Sequence, residues 1–343
     1  MSDTLGTYSF LPWLRLGMAN NISAPDMDPS VTARATMQVA LDLTGQRVEE
    51  DGELSTTVSR DVELYGPGDV VGINQSAIIK VEPRGNLTNF EPNYLPYIEF
   101  GEEDLPWRYT PAAPDTALHR LRPWIVLVVL RADEFNEAGI NAARPLPAIE
   151  LATGVETAFP AEDQLWGWAH VHVNRDLIKS EGVTLSTDGD MAGTRLENVL
   201  KSNADHAYSR IISPRRLAPD TGYHAFLMPS FESGRLAGLG LPPDDGNAER
   251  FATQSAWASY TDRPLPGLYP FYHRWYFKTG EIGDFEYLVR LLKPRPPDPR
   301  LGRRDIDVQR PGANLPGIAI PELDGVLRLG GALKVPDEAA IRN

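Results

Sequence analysis

A β-rich α+β fold, built from antiparallel or mixed sheets with a few short helices and an extended proline-rich C-terminal arm, is predicted by the 343-residue sequence. Three observations carry the prediction. Thirty prolines and 29 glycines interrupt the chain, so its elements are short and joined by shaped loops. Several apolar stretches alternate with a period of two or are rich in β-branched residues. No repeated strand–helix alternation appears, which disfavours a doubly wound nucleotide fold.

The N-terminal third reads as strands. Ala35–Leu43 places Met37, Val39, Leu41 and Leu43 on one face, and Asp61–Tyr65 runs into the turn Gly66-Pro67-Gly68-Asp69. Ala77–Val81 is a further short strand. Trp124–Leu130 (WIVLVVL) has the length and composition of a strand buried on both faces. Trp166–Val173 (WGWAHVHV) alternates strictly, which sets Trp166, Trp168, His170 and His172 on one face. Tyr223–Met228 is another strand candidate.

Helices are fewer. Thr194-Arg195-Leu196-Glu197 is a capping-box pattern ahead of Leu196, Val199 and Leu200 at helical spacing. Asp284 can cap a helix bearing Phe285, Leu288, Val289 and Leu292, stopped by Pro294. Ala248–Ser259 is a third candidate. The segment Gly234-Arg235-Leu236-Ala237-Gly238-Leu239-Gly240 lacks dinucleotide-binding spacing and reads as a loop needing close backbone approach or positive φ.

The expected organisation is a β-rich body over 1–293, with a division near 135–165 as an open alternative, and an arm and tail over 294–343. Seven of the 28 residues from Pro294 to Pro321 are proline, so this stretch forms neither helix nor central strand. It is locally basic: Lys293, Arg295, Arg300, Arg303, Arg304 and Arg310 outnumber Asp298, Asp305 and Asp307. A cationic arm on an acidic body suits docking on an acidic surface, a neighbouring copy included; a solvated linker is the plainer alternative.

Composition excludes several classes. A net charge of −14 argues against coating nucleic acid. With no cysteine there are no disulfides, thiol nucleophiles or Cys-ligated metals. The longest apolar run is WIVLVVL, against about 20 residues for a membrane helix. The N-terminal stretch lacks a basic start followed by an apolar core. Assembly in the cytoplasm, without membrane insertion, is expected.

Catalytic motifs are scarce. There is no phosphate loop, HExxH or GxSxG, and Asp188-Gly189-Asp190 lacks the rest of a calcium loop and reads as a turn. His170 and His172 are the best metal hint, with His119, His206, His224 or His273 to complete a site, but their tryptophan neighbours favour packing. Glu99, Glu102, Glu103 and Asp104 lie near Tyr94, Tyr97, Phe100 and Trp107, so a carbohydrate-binding or glycoside-hydrolysing protein is the alternative from another class. No cofactor, no metal and no enzymatic activity are expected.

Further segments carry a resemblance. They include Phe10-Leu11-Pro12-Trp13-Leu14-Arg15, Leu64–Val70, Phe90–Phe100, Leu105-Pro106-Trp107, Leu121-Arg122-Pro123-Trp124 and Ser213-Pro214-Arg215-Arg216-Leu217. Gly234–Gly240, Tyr276-Phe277-Lys278-Thr279-Gly280 and Gly283-Asp284-Phe285-Glu286 complete the set, so the matches run from about residue 10 to 295. Together these resemble a group of uncharacterised proteins encoded with phage-tail-like contractile injection systems. The resemblance implies a structural component of a sheath-and-tube particle, one that is released or membrane-anchored. It favours an adaptor joining the end of the tube or sheath to a cap, with a baseplate component or a lumenal plug as rival positions. It implies a homo-oligomer, threefold or sixfold, contacting tube, sheath or cap proteins. The candidate assembly contacts are Tyr94, Tyr97, Trp107, Arg295, Arg300, Arg303 and Arg304; such aromatics serve equally as a subunit's own core.

Overall fold

Short antiparallel strands dominate the computed structural model, which describes residues 8–46, 53–139, 141–152, 158–174, 196, 198, 200, 201, 203–243, 250–257, 264–281, 285–293, 298, 300–310, 312–316 and 325–333. The chain divides into two units, 1–284 and 285–343. In the first, chain order gives β1 (Ser9–Leu11), β2 (Thr36–Gln46), β3 (Glu53–Glu63), β4 (Ile78–Glu82), β5 (Tyr97–Phe100), β6 (Ile125–Arg131) and β7 (Phe135–Glu137). It continues with β8 (Ala148–Leu151), β9 (Ala169–Val173), β10 (Ala207–Ile212), β11 (Gly222–Pro229), α1 (Glu232–Gly238), β12 (Leu268–Pro270) and β13 (His273–Lys278). The fold is the β-rich α+β class that the sequence predicts.

Three sheets build the core: β1-β9-β10-β5-β4, β13-β11-β6 and β12-β8-β7. The β13-β11-β6 sheet lies between the other two. Ile125, Leu127 and Val129 join Ala225 and Leu227 in packing toward the five-stranded sheet, against Ile98, Phe100, Val171 and Ile211. Val126, Val128 and Leu130 alternate to the other side, with Phe226, Met228, Ile149 and Tyr269. A strand covered on both faces has no polar side, which is why WIVLVVL is an unbroken apolar run. Trp107 and Trp124 lock this layer by reciprocal bonds: the Trp107 indole N–H donates to the Leu121 carbonyl at 3.1 Å, and that of Trp124 to the Leu105 carbonyl at 2.6 Å.

Three readings need correction. Trp166 and Trp168 are not on a strand: a 3-10 helix spans Glu162–Trp168, and β9 begins only at Ala169. Pro160 and the acidic first turn favour a helical start there, and the Trp166 indole donates to the Asp163 carbonyl at 2.8 Å. Residues 250–257 form turns and a bridge rather than a helix, because their backbone serves the start of α1: the Glu232 N–H donates to the Gln254 carbonyl at 2.7 Å. The Gly234–Gly240 segment is mostly helix, where a loop is expected. Close approach and positive φ are nonetheless both present. A Cβ on Gly238 would lie 2.8 Å from Pro270, and Gly240 adopts φ +77°.

Leu196, Asn198, Leu200 and Lys201 are helical, whereas Thr194, and likewise Asp284, lies outside the described residues. The second unit contains α2 (Phe285–Leu291) and a hairpin of β14 (Arg303–Asp307) with β15 (Val326–Gly330). In this unit Leu288, Leu292, Leu301 and Leu329 are exposed.

Candidate assembly surfaces

The longest strands of the protein are the least covered. β2 and β3 pair along all eleven residues and with no other described strand. Alternation gives the hairpin two unlike faces. Met37, Val39, Leu41 and Leu43 share one with Leu54, Val58 and Val62; Gln38, Asp42, Asp61 and Glu63 lie on the other. A one-sided apolar pattern belongs on a core, yet Leu41 is 59% exposed and Leu43, Leu54 and Val58 are nearly as open. An isolated two-stranded hairpin is marginal in water, so this face has the character of a contact surface. The hairpin is tied to the body at its base, where Arg34 pairs with Asp69 and Glu63 and holds the Asp69 carboxyl below its usual range through their hydrogen bonds.

Sequence reading places the β2 half of this surface and misses the β3 half. The missed signal is the alternation Leu54, Thr56, Val58 and Val62, interrupted by Arg60 on the apolar side.

The predicted contact residues separate by burial. Tyr94 is 60% exposed. Tyr97 is half-buried on β5, where its hydroxyl bonds Lys80 at 2.6 Å and the Arg210 guanidinium lies over its ring. Trp107 is fully buried, so its side chain belongs to the subunit's own core and offers no surface to a partner. Arg300 is 77% exposed on its side chain and pairs with Asp298, Arg304 is exposed, and Arg303 is half-buried. Arg295 lies outside the described residues.

Three members of the acidic cluster are paired with arginine. Glu99 is buried on β5 and accepts two bonds from Arg210, at 2.9 and 2.5 Å. Arg108 bridges Asp104 and Glu102. Glu103 is raised above the usual carboxylate range by burial. Carboxylates clamped by guanidinium groups are poor general acids and bases. Glu103, the member not bonded to arginine here, therefore lacks a free partner among Glu99, Glu102 and Asp104 for the pair that glycoside hydrolysis needs.

Cross-strand register gathers Phe10, His172 and Tyr208 in one row, and His170, Arg210 and Glu99 in the next. His172 stacks on Tyr208 with ring centroids 4.7 Å apart and meets Phe10 edge-on at 4.7 Å. Burial pushes His170 down to about 4, with Arg210 and His172 adding to the effect. The pair is a packed, neutral aromatic patch. Among the described residues no group of three or more His, Cys, Asp or Glu could hold a metal ion.

A cleft of about 560 Å³ is lined by Pro25, Asp26, Pro114, Arg122, Glu162 and Trp166, among others. Its Arg122 is committed, bonding both Asp26 oxygens at 2.7 Å and the Thr253 carbonyl. No described helix is long and apolar enough to cross a membrane. No protein-family model, curated protein or solved structure matches the chain.

Proposed function

We propose that this chain is a non-enzymatic assembly subunit, working with copies of itself and with the tube, sheath or cap proteins of a contractile injection particle, as an adaptor at the tube or sheath end. The observation that carries the assembly role is the β2–β3 hairpin: eleven paired residues with a largely apolar face in solvent, broken on β3 by Arg60, and both edges open among the described residues. Symmetric assembly buries such a face once per copy, and a long β-ribbon suits packing along a tube or ring. The particle and the end position come from the sequence resemblance. The exposed basic residues Arg300 and Arg304 are chemically suited to an acidic neighbour. The carbohydrate reading loses ground because Glu99, Glu102 and Asp104 are each held by arginine.

The test is solution mass by light scattering, alone and with purified tube and sheath subunits. A stable oligomer that is captured on tube or sheath ends is expected. A monomer at every concentration that ignores both partners would overturn the proposal.

A further inference from the structure

We propose that β2 is an association edge, and that two copies of the chain join through it as antiparallel neighbours centred on Leu41. The inference rests on the assembly reading and names a second copy as the occupant of one particular edge.

Strand edges are normally protected by shortness, charge, bulges or cover. Among the described strands the other edges are guarded: β6 is buried, with its Val129 carbonyl bonded by Arg215 and its Arg131 N–H by Glu134, and β14 carries Arg303, Arg304, Asp305 and Asp307. β1, β7 and β12 have three residues each, and β4 carries a register shift together with Lys80 and Glu82. β13 is covered by the chain at 86–90: the Asn86 N–H donates to the Tyr276 carbonyl, and the Lys278 N–H to the Leu87 carbonyl, both at 2.7 Å. β3 bears Arg60, Asp61 and Glu63. β2, TMQVALDLTGQ, is eleven residues long with one charge, no proline and no bulge.

The backbone direction is fixed. The Leu64 N–H donates to the Ala35 carbonyl at 2.9 Å, so odd-numbered residues of β2 bond toward β3. The N–H and C=O groups of Gln38, Ala40, Asp42 and Thr44 therefore point out of the open edge. Antiparallel pairing about Leu41 uses all of them and keeps the full ladder. Leu41 meets Leu41 of the second copy, Val39 meets Leu43, Ala40 meets Asp42 and Gln38 meets Thr44. Asp42 thus avoids its own copy, whereas centring the pairing on Asp42 would set two carboxylates opposite each other. Met37, Val39, Leu41 and Leu43 of both strands stay on one face, so two marginal ribbons become one four-stranded sheet with a doubled apolar surface. The contact is isologous and joins two subunits, or two rings of subunits face to face.

The absence of cysteine makes the register directly testable. Leu41→Cys places one thiol per chain at the two-fold, in a non-hydrogen-bonded pair whose Cα separation of about 4.5 Å suits a disulfide. Mild oxidation of the full-length variant is expected to give a covalent dimer, whereas Val58→Cys on β3 is expected to stay monomeric on a denaturing gel. In parallel, Ala40→Pro removes an outward N–H without touching the β2–β3 ladder and is expected to weaken self-association at least tenfold by light scattering; Ser59→Pro, its counterpart on the β3 edge, should not. Equal cross-linking at 41 and 58, no cross-linking at 41, or an Ala40→Pro variant of unchanged mass overturns the inference. Capture by tube and sheath subunits is scored separately, so the edge can fail while the assembly reading stands.

Discussion

Arg235 lies fully buried against Glu232, three residues earlier in α1, and its guanidinium meets both carboxylate oxygens at 2.7 and 2.8 Å. The same guanidinium donates to the carbonyls of Pro264, Leu265 and Leu268, so one side chain ties a short helix to the turn leading into β12. Removing one partner of a buried pair leaves an uncompensated charge, which costs about 3–5 kcal/mol. Glu232→Gln is therefore expected to lose stability on that order in urea unfolding. A change under 1 kcal/mol would mean the carbonyls alone suffice.

The glycines flanking this pair make a sharper prediction. At Gly240 an added Cβ would sit 2.2 Å from the Ala143 carbonyl oxygen, on a backbone with φ +77°. At Gly238 the obstacles are side-chain carbons of Pro270 at 2.8 Å and Leu146 at 3.0 Å. Gly240→Ala combines backbone strain with a clash against fixed main chain and is expected to cost roughly 2–4 kcal/mol. Gly238→Ala meets movable neighbours and should cost less. Thermal melts of the two variants give the order.

What the sequence reveals of this fold follows burial. WIVLVVL reads correctly because β6 is covered on both faces, and Tyr223–Met228 because β11 lies beside it. The register of His170 and His172 is legible, but Trp166 and Trp168 leave their face because alternation alone does not distinguish a strand from a 3-10 turn followed by one. α1 is hidden since two of its seven residues, Gly234 and Gly238, are glycines that argue against helix; their purpose is tertiary, letting Pro67, Pro229 and Pro270 approach. At the candidate surface, alternation in β2 predicts a face but not whether that face is covered. Exposure of Leu41 and burial of Trp107 depend on long-range packing that no local pattern encodes.

Acid should weaken the fold through its half-buried histidines. Burial lowers His170 from 6.5 to about 4, and lowers His172, His224 and His273 in the same direction. The unfolded chain takes up protons as pH falls below 6.5 while folded His170 does not, so its contribution is complete above that pH and lost toward pH 4. Allowing for solvent screening, His170 alone accounts for roughly 2 kcal/mol. Urea midpoints at pH 7.5 and 4.5 check this. His170→Gln is expected to shrink the difference between them, and an unchanged difference would refute the assignment.

Tyr94 and Trp107 belong to neighbouring stretches of one aromatic-rich region but differ completely in burial, at 60% and 0% exposure. Trp107→Ala would open a cavity beside Trp124 and leave the Leu121 carbonyl without its donor, a loss of about 3–5 kcal/mol. Tyr94→Ala removes a largely exposed ring whose aromatic contact with Phe90 is edge-on at 6.4 Å between centroids, so stability should stay within about 0.5 kcal/mol. The informative measurement is binding under conditions where both variants are folded. Tyr94→Ala is expected to weaken capture by tube or sheath subunits at unchanged melting temperature, while Trp107→Ala changes capture only in step with its folded fraction. The reverse pattern would place the contact elsewhere, with the β2–β3 hairpin the next surface to alter.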